Sequence, residues 1–164
     1  DGPFFLRDFE LKDEAGNVLV AATSSWLIID VASRSIVRHI AFDNLSGSDT
    51  RCFDNALPTS AKKVIMPKGI EPEFVCTHKI AYSDIDIIGH TNNARYVLWA
   101  MDSIDYELAS SKRIKDFQIN FNKETVPGDA VDIYRIVRNS DDGITYNVEG
   151  VIDGKSVFCA EVGY

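Results

Sequence analysis

Residues Tyr82 to Trp99 read YSDIDIIGHTNNARYVLW and gather the side chains best placed to do chemistry. Asp84 and Asp86 stand two apart, Gly89 and His90 follow, and Asn92 and Asn93 open an amphipathic helix. A helix start presents unpaired N–H groups and a partial positive charge, so it favours developing negative charge. A carboxylate and an imidazole beside it can manage a proton, because imidazole titrates near neutral pH. That combination suits attack of water on an acyl carbonyl.

Each of these residues also has a plainer role. In an extended segment Asp84 and Asp86 point opposite ways and do not share one task. Asp84 is expected to hydrogen-bond backbone in the turn. A lone histidine after glycine usually caps or packs. Here Asp86 four residues before it, and the helix start beside it, favour function for His90. Asn92 and Asn93 both suit a helix N-cap. Tyr96 fits either the lining of a ligand channel or simple packing, and Trp26 and Trp99 read as core aromatics. Glu124 ends the strand pattern Phe117–Ile119–Phe121, and by pattern alone reads as an exposed strand-end charge.

The elements that must position these groups follow from periodicity. Phe74, Cys76, His78, Ile80 and Tyr82 alternate, which is strand spacing leading into the motif. Ala94, Val97, Leu98, Met101, Ile104 and Leu108 recur at three- and four-residue steps, giving a helix over Asn92–Ala109 with one apolar face. Strands are expected at Arg113–Lys123, Ala130–Arg138, Ile144–Ile152 and Ser156–Val162, with Asp153-Gly154 as a tight hairpin turn. One helix among strands of period two predicts an α+β fold, an antiparallel sheet curled around the helix. The start of the chain also reads as strands, Phe5–Leu11 and Val18–Asp30, around an Asp13–Asn17 turn. GNVLVAAT there parallels GKSVFCAE near the end, a weak repeat. From Ile40 to Ile70 the apolar pattern fails, and a linker is expected with at most a short helical turn at Ala56–Lys63.

Composition excludes several classes. A chain of 164 residues, 45% hydrophobic and 26% charged, suits a globular protein of about one domain. No apolar run reaches the roughly 20 residues of a membrane span, and no leader is evident, so neither a membrane association nor export is expected. Cys52, Cys76 and Cys159 are scattered and odd in number, which points to a reduced cytoplasmic setting. Those thiols and His39, His78 and His90 are too dispersed for a metal cluster, so no metal or other cofactor is expected. A net charge of −8 argues against nucleic acid as partner. Between Val31 and Ile70, however, Arg34, Arg38, Arg51, Lys62, Lys63 and Lys68 face only Asp43, Asp49 and Asp54, a local excess of +3. That stretch reads either as a solvated linker or as a surface that steers an acidic partner.

The motif S-D-x-D-x-x-G-H-x-N-N-x-x-Y resembles the one that opens the central helix of the hotdog fold in acyl-[acyl carrier protein] thioesterases. ATSSWLIIDVASRSIVR (Ala22 to Arg38) is similar to the segment joining that family's two hotdog repeats. INFNKETVPGDAV (Ile119 to Val131) is similar to the strand bearing its catalytic carboxylate. The resemblance implies a hotdog fold, with residues 1–40 as the closing strands of a partial first repeat, 41–70 as linker and 71–164 as a complete second hotdog domain. It implies hydrolysis of fatty acyl-carrier-protein thioesters in fatty acid biosynthesis, with acyl carrier protein as partner. Asp86, His90 and Glu124 then match the catalytic residues, Glu124 as general base. Thr125 stands where plant members carry cysteine, which favours direct attack by water. Ile88 stands at the asparagine of the family's D-x-N-x-H, beside the substrate with Asn92, Asn93 and Tyr96. Isoleucine cannot hold a water or a carbonyl oxygen, and losing such a donor costs on the order of 10²–10³ in rate. A hotdog acyl-CoA thioesterase, and a degenerate module that binds an acyl chain or carrier protein without hydrolysis, are the competing expectations. A first unit of strands without a helix leaves apolar surface or sheet edges uncovered, so either self-association into a homo-oligomer or poor stability alone is expected.

Overall fold

Alternation from Phe5 onward makes strands β1 (Phe5–Lys12) and β2 (Val18–Trp26), an antiparallel hairpin whose register runs from Phe5↔Trp26 to Leu11↔Val20 before a bulge. Its turn is closed by Asp13, whose Oδ1 accepts the N–H groups of Ala15 and Asn17 at 3.0 and 2.8 Å. The computed structural model describes residues 4–33, 35–37 and 54–164, and the chain divides after Lys62 into two units. In the first unit β2 stops at Trp26 instead of running to Asp30. The two-residue strands β3 (Ile28–Ile29) and β4 (Ile36–Val37) form a separate small ladder. Asp30 bends the chain there by accepting both the N–H and the hydroxyl of Ser33 at 2.7 Å. The helical turn expected at Ala56–Lys63 does not form. Pro58, near its start, disfavours a helical conformation for Leu57 before it. Of the residues singled out above, Arg34, Arg38, His39, Asp43, Asp49, Arg51 and Cys52 lie outside the described residues, as does the stretch 41–53.

The second unit, Lys63–Tyr164, holds strands β5 (Glu73–Lys79), β6 (Asp116–Phe121), β7 (Ala130–Ser140), β8 (Gly143–Ile152) and β9 (Lys155–Gly163). They form one five-stranded antiparallel sheet in the order β5-β7-β8-β9-β6. Asp153 and Gly154 turn β8 into β9 with φ of +49° and +71°, the left-handed pair that a two-residue hairpin requires. Gly150 is set by packing instead, because a Cβ there would run into the Phe158 ring and Val131.

The expected single helix is two. Helix α1 spans Asn93–Asp102 and α2 spans Tyr106–Ser111. Side chains from the sheet interrupt it: Arg135 Nη1 donates to the Ser103 carbonyl at 2.8 Å and to Asp105 at 2.9 Å, and the Tyr146 hydroxyl donates to Asp105 at 2.8 Å. Those bonds, the Tyr146 hydroxyl first, hold the Asp105 carboxyl below its ordinary pKa. The buried face of α1, Tyr96, Trp99 and Ala100, shares one core cluster with Val131, Ile133, Tyr146, Val148, Phe158, Ala160 and Val162 of the sheet. The class is therefore the expected one, mainly sheet with few helices. Among the described residues no helix is long and apolar enough to cross a membrane.

Candidate active site

The motif folds as a loop closed on itself. After β5 a 3₁₀ turn, Tyr82–Asp84, leads to an isolated bridge between Ile85 and Thr91. Inside that bridge the Asp86 N–H donates to the His90 carbonyl at 2.9 Å, and the Gly89 N–H donates to the Asp86 carbonyl at 3.1 Å. Gly89 takes φ of +84°, the left-handed region where a side chain is strained. The Asp86 carboxylate accepts from the N–H of Ile88 at 3.0 Å and of His90 at 3.4 Å. Asp86 thus shapes the loop that carries His90. Ile88 lies at its tip, 72% exposed. Asn92 is the N-cap of α1, its side chain accepting from the Ala94 N–H at 2.9 Å. Asn93 is the first helical residue and is exposed.

His90 and Glu124 come together. His90 Nδ1 lies 3.7 Å from Glu124 Oε2, with side chains 37% and 56% exposed. That separation is too long for a hydrogen bond and suits an ion pair or a shared water. Glu124 reaches the motif from the end of β6, where the N–H groups of Asn122 and Lys123 donate to the Val157 carbonyl at 2.7 and 3.1 Å. The next residue, Thr125, is fully buried. Its carbonyl accepts from the Thr91 N–H at 2.9 Å, and its hydroxyl lies 2.6 Å from that of Thr91 and 2.8 Å from the Tyr96 hydroxyl. Tyr96 is itself buried, its ring among Trp99, Phe121 and Phe158.

Asp84 bonds turn backbone, accepting from the Ala81 N–H at 2.8 Å. It does more than that. The same oxygen lies 2.9 Å from His78 Nε2, and the other lies 3.7 Å from Arg95 Nε. Burial alone would raise its pKa. The His78 hydrogen bond, the Ala81 N–H and the charges of His78 and Arg95 outweigh that, so the carboxyl is held below the ordinary aspartate value. Its backbone carbonyl accepts from the Asn92 N–H at 2.8 Å, which ties this buried group to the cap of α1. The sequence reading missed His78 and Arg95 as partners. The available signal was His78 on the helix-facing side of an alternating strand, where its ring packs on Trp99.

Chemically, the surface offers one imidazole and one carboxylate, accessible and within a water's reach of each other, at the entry to a helix. Among the described residues no group of three His, Cys, Asp or Glu is placed to hold a metal ion. Cys76 and Cys159 are free thiols, and burial pushes the Cys159 thiol up to about 12.

Comparison with known proteins bears on this geometry. Oleoyl-acyl carrier protein thioesterase 2, chloroplastic, of Arabidopsis thaliana is 28% identical over 137 residues, 77% of this chain and 36% of the relative. An acyl-ACP thioesterase crystal structure from Bacteroides thetaiotaomicron superposes with a TM-score of 0.77 at 26% identity, covering 99% of this chain and 63% of that one. The 12:0-ACP thioesterase of Umbellularia californica shares the fold, with a TM-score of 0.81 at 18% identity over 96% of this chain and 59% of that one. The hotdog type is thereby shown. The chain spans about a third of the length of the curated relatives it matches. Residues 68–163 match the model of the acyl-ACP thioesterase C-terminal domain, and the chain belongs to that family.

Proposed function

We propose that this chain hydrolyses fatty acyl-carrier-protein thioesters, releasing a free fatty acid and the carrier thiol in fatty acid biosynthesis. The observation that carries the reading is the accessible His90–Glu124 pair on the loop and strand end that the family motifs mark. Glu124 takes a proton from a water as that water's oxygen bonds to the acyl carbon. His90 orients the water, and the same proton passes from Glu124 by way of the imidazole to the sulfur as the carbon–sulfur bond breaks. Asp86 serves them by holding the loop through the N–H groups of Ile88 and His90. The start of α1 favours the oxyanion as it forms, and Ile88, Asn92 and Asn93 border the thioester.

On the same reading residues 71–164 are a complete hotdog whose sheet wraps α1. Residues 1–40 are closing strands of a first repeat and 41–70 their linker. The basic excess around that linker steers the acidic carrier protein. A second reading, a module that binds acyl chain or carrier without hydrolysis, is favoured by one observation: Ile88 presents no side-chain donor beside the pair. Thiol release from a panel of acyl-carrier-protein and acyl-CoA thioesters separates these. The proposal expects turnover of the carrier-protein thioesters that falls at least about 10²-fold in His90→Ala and Glu124→Ala. Turnover of acyl-CoA alone makes it a CoA thioesterase, and binding without thiol release makes it the module.

A further inference from the structure

His90 and Glu124 are partly exposed, and the backbone on which each hangs is anchored at the next residue. The residues that follow them in sequence, Thr91 and Thr125, are buried at 4% and 0% exposure and are joined twice. The Thr91 N–H donates to the Thr125 carbonyl at 2.9 Å, and the Thr125 hydroxyl donates to the Thr91 hydroxyl at 2.6 Å. A threonine hydroxyl carries one proton. With that proton committed to Thr91, the Tyr96 hydroxyl at 2.8 Å must be the donor to Thr125. Donation therefore runs one way, Tyr96 to Thr125 to Thr91, and each bond polarises the next. The phenol is fixed by core rings, with Trp99, Phe158 and Phe121 at centroid distances of 5.0, 5.5 and 5.8 Å. Both threonines are stiff at χ1.

We propose that Thr125, held by Tyr96, is a positioning residue that sets the distance between Glu124 and His90. Its catalytic consequence rests on the hydrolytic reading above, whereas its geometric consequence does not. Thr125→Val keeps the volume and the branch but removes the hydroxyl, leaving Tyr96 without an acceptor and Thr91 without a donor. Thr125→Ser keeps the hydroxyl.

The test compares the whole chain with Thr125→Val, Thr125→Ser and Tyr96→Phe, each also in a Glu124→Gln background. It reads kcat and KM on an acyl-carrier-protein thioester, and the His90 ring resonances by NMR. Thr125→Val should lower kcat on the order of 10–100-fold with KM little changed, because misplacing a reacting group by about 1 Å has that effect. Thr125→Ser should restore most of the rate, and Tyr96→Phe should lie between. In the Glu124→Gln background Thr125→Val should cost nothing more, since residues that act through one another are not additive. Replacing Glu124 by Gln should move the His90 resonances in the parent and move them less in Thr125→Val. A full kcat in Thr125→Val, an equal loss in both backgrounds, or an identical His90 response overturns the proposal. If the parent releases no thiol, the hydrolytic reading fails and the His90 response alone decides the positioning role. If Thr125→Val does not fold, Tyr96→Phe is read in the same way.

Discussion

Ile88 sits on a loop whose backbone is already satisfied, its N–H on the Asp86 carboxylate and its side chain in solvent. Ile88→Asn should leave stability within about 0.5 kcal/mol, as exposed substitutions do. It should raise thioester hydrolysis by on the order of tenfold or more in kcat, because an amide there orients water or the thioester oxygen as charge develops. His90→Ala or Glu124→Ala in that background should abolish the gain. An unchanged rate in a folded Ile88→Asn shows that the amide is not what limits the site. Asp84 makes a different prediction. Its folded pKa is depressed, so its stabilisation is fully present above the ordinary aspartate value near ~pH 4 and is lost as pH falls through the lower folded value. Asp84→Asn should cost about 1.5–3 kcal/mol at pH 7 and flatten the acid limb. Urea unfolding at pH 7 and at progressively lower pH checks it, and a constant gap between parent and variant contradicts it. Asp86, Gly89 and His90 were legible in the sequence because they lie within one loop. Glu124 was legible only through resemblance. The pairing that brings it to His90 joins Thr91 and Thr125 across 34 residues, and local spacing carries no trace of that.

Strands were more legible than the helix, for a physical reason. In β6 and most of β8 apolar residues alternate with polar ones because Phe117, Ile119, Ile144, Tyr146 and Val148 lie on the core, and a period of two survives in the sequence whatever the partner strand is. The break between α1 and α2 is imposed from outside, by Arg135 on β7 and Tyr146 on β8. Apolar spacing runs through Ile104 to Leu108 without marking it. The end of β2 at Trp26 has a different origin: pairing with β1 stops there, and the chain pairs Ile28–Ile29 with Ile36–Val37 around the local turn in which Asp30 captures Ser33. At this scale Gly150 gives the sharpest expectation. Gly150→Ala puts a methyl into the Phe158 ring in the middle of the β8–β9 ladder. It should lower stability by about 1–3 kcal/mol, the usual range for overpacking a filled core. Thermal or urea unfolding of the variant at parental stability contradicts the packing described for that ladder.

For the molecule as a whole, β1 and β2 form a two-stranded sheet that leaves Phe9, Leu11, Leu19 and Val20 at least half exposed. Apolar surface of that kind favours association. The chain should self-associate with rising concentration in light scattering, and a strict monomer with a sharp two-state melt counts against this. Family membership was legible from three motifs in order. His90 and Glu124 are expected to act as a unit on a thioester. The decisive measurement is kcat/KM of the parent, His90→Ala, Glu124→Ala and the double variant on one acyl-carrier-protein thioester. Residues acting as a unit are strongly non-additive, so each single variant should lose about 10²–10⁴-fold and the double variant little more. Parental rates in either single variant, or losses that multiply in the double, contradict the account.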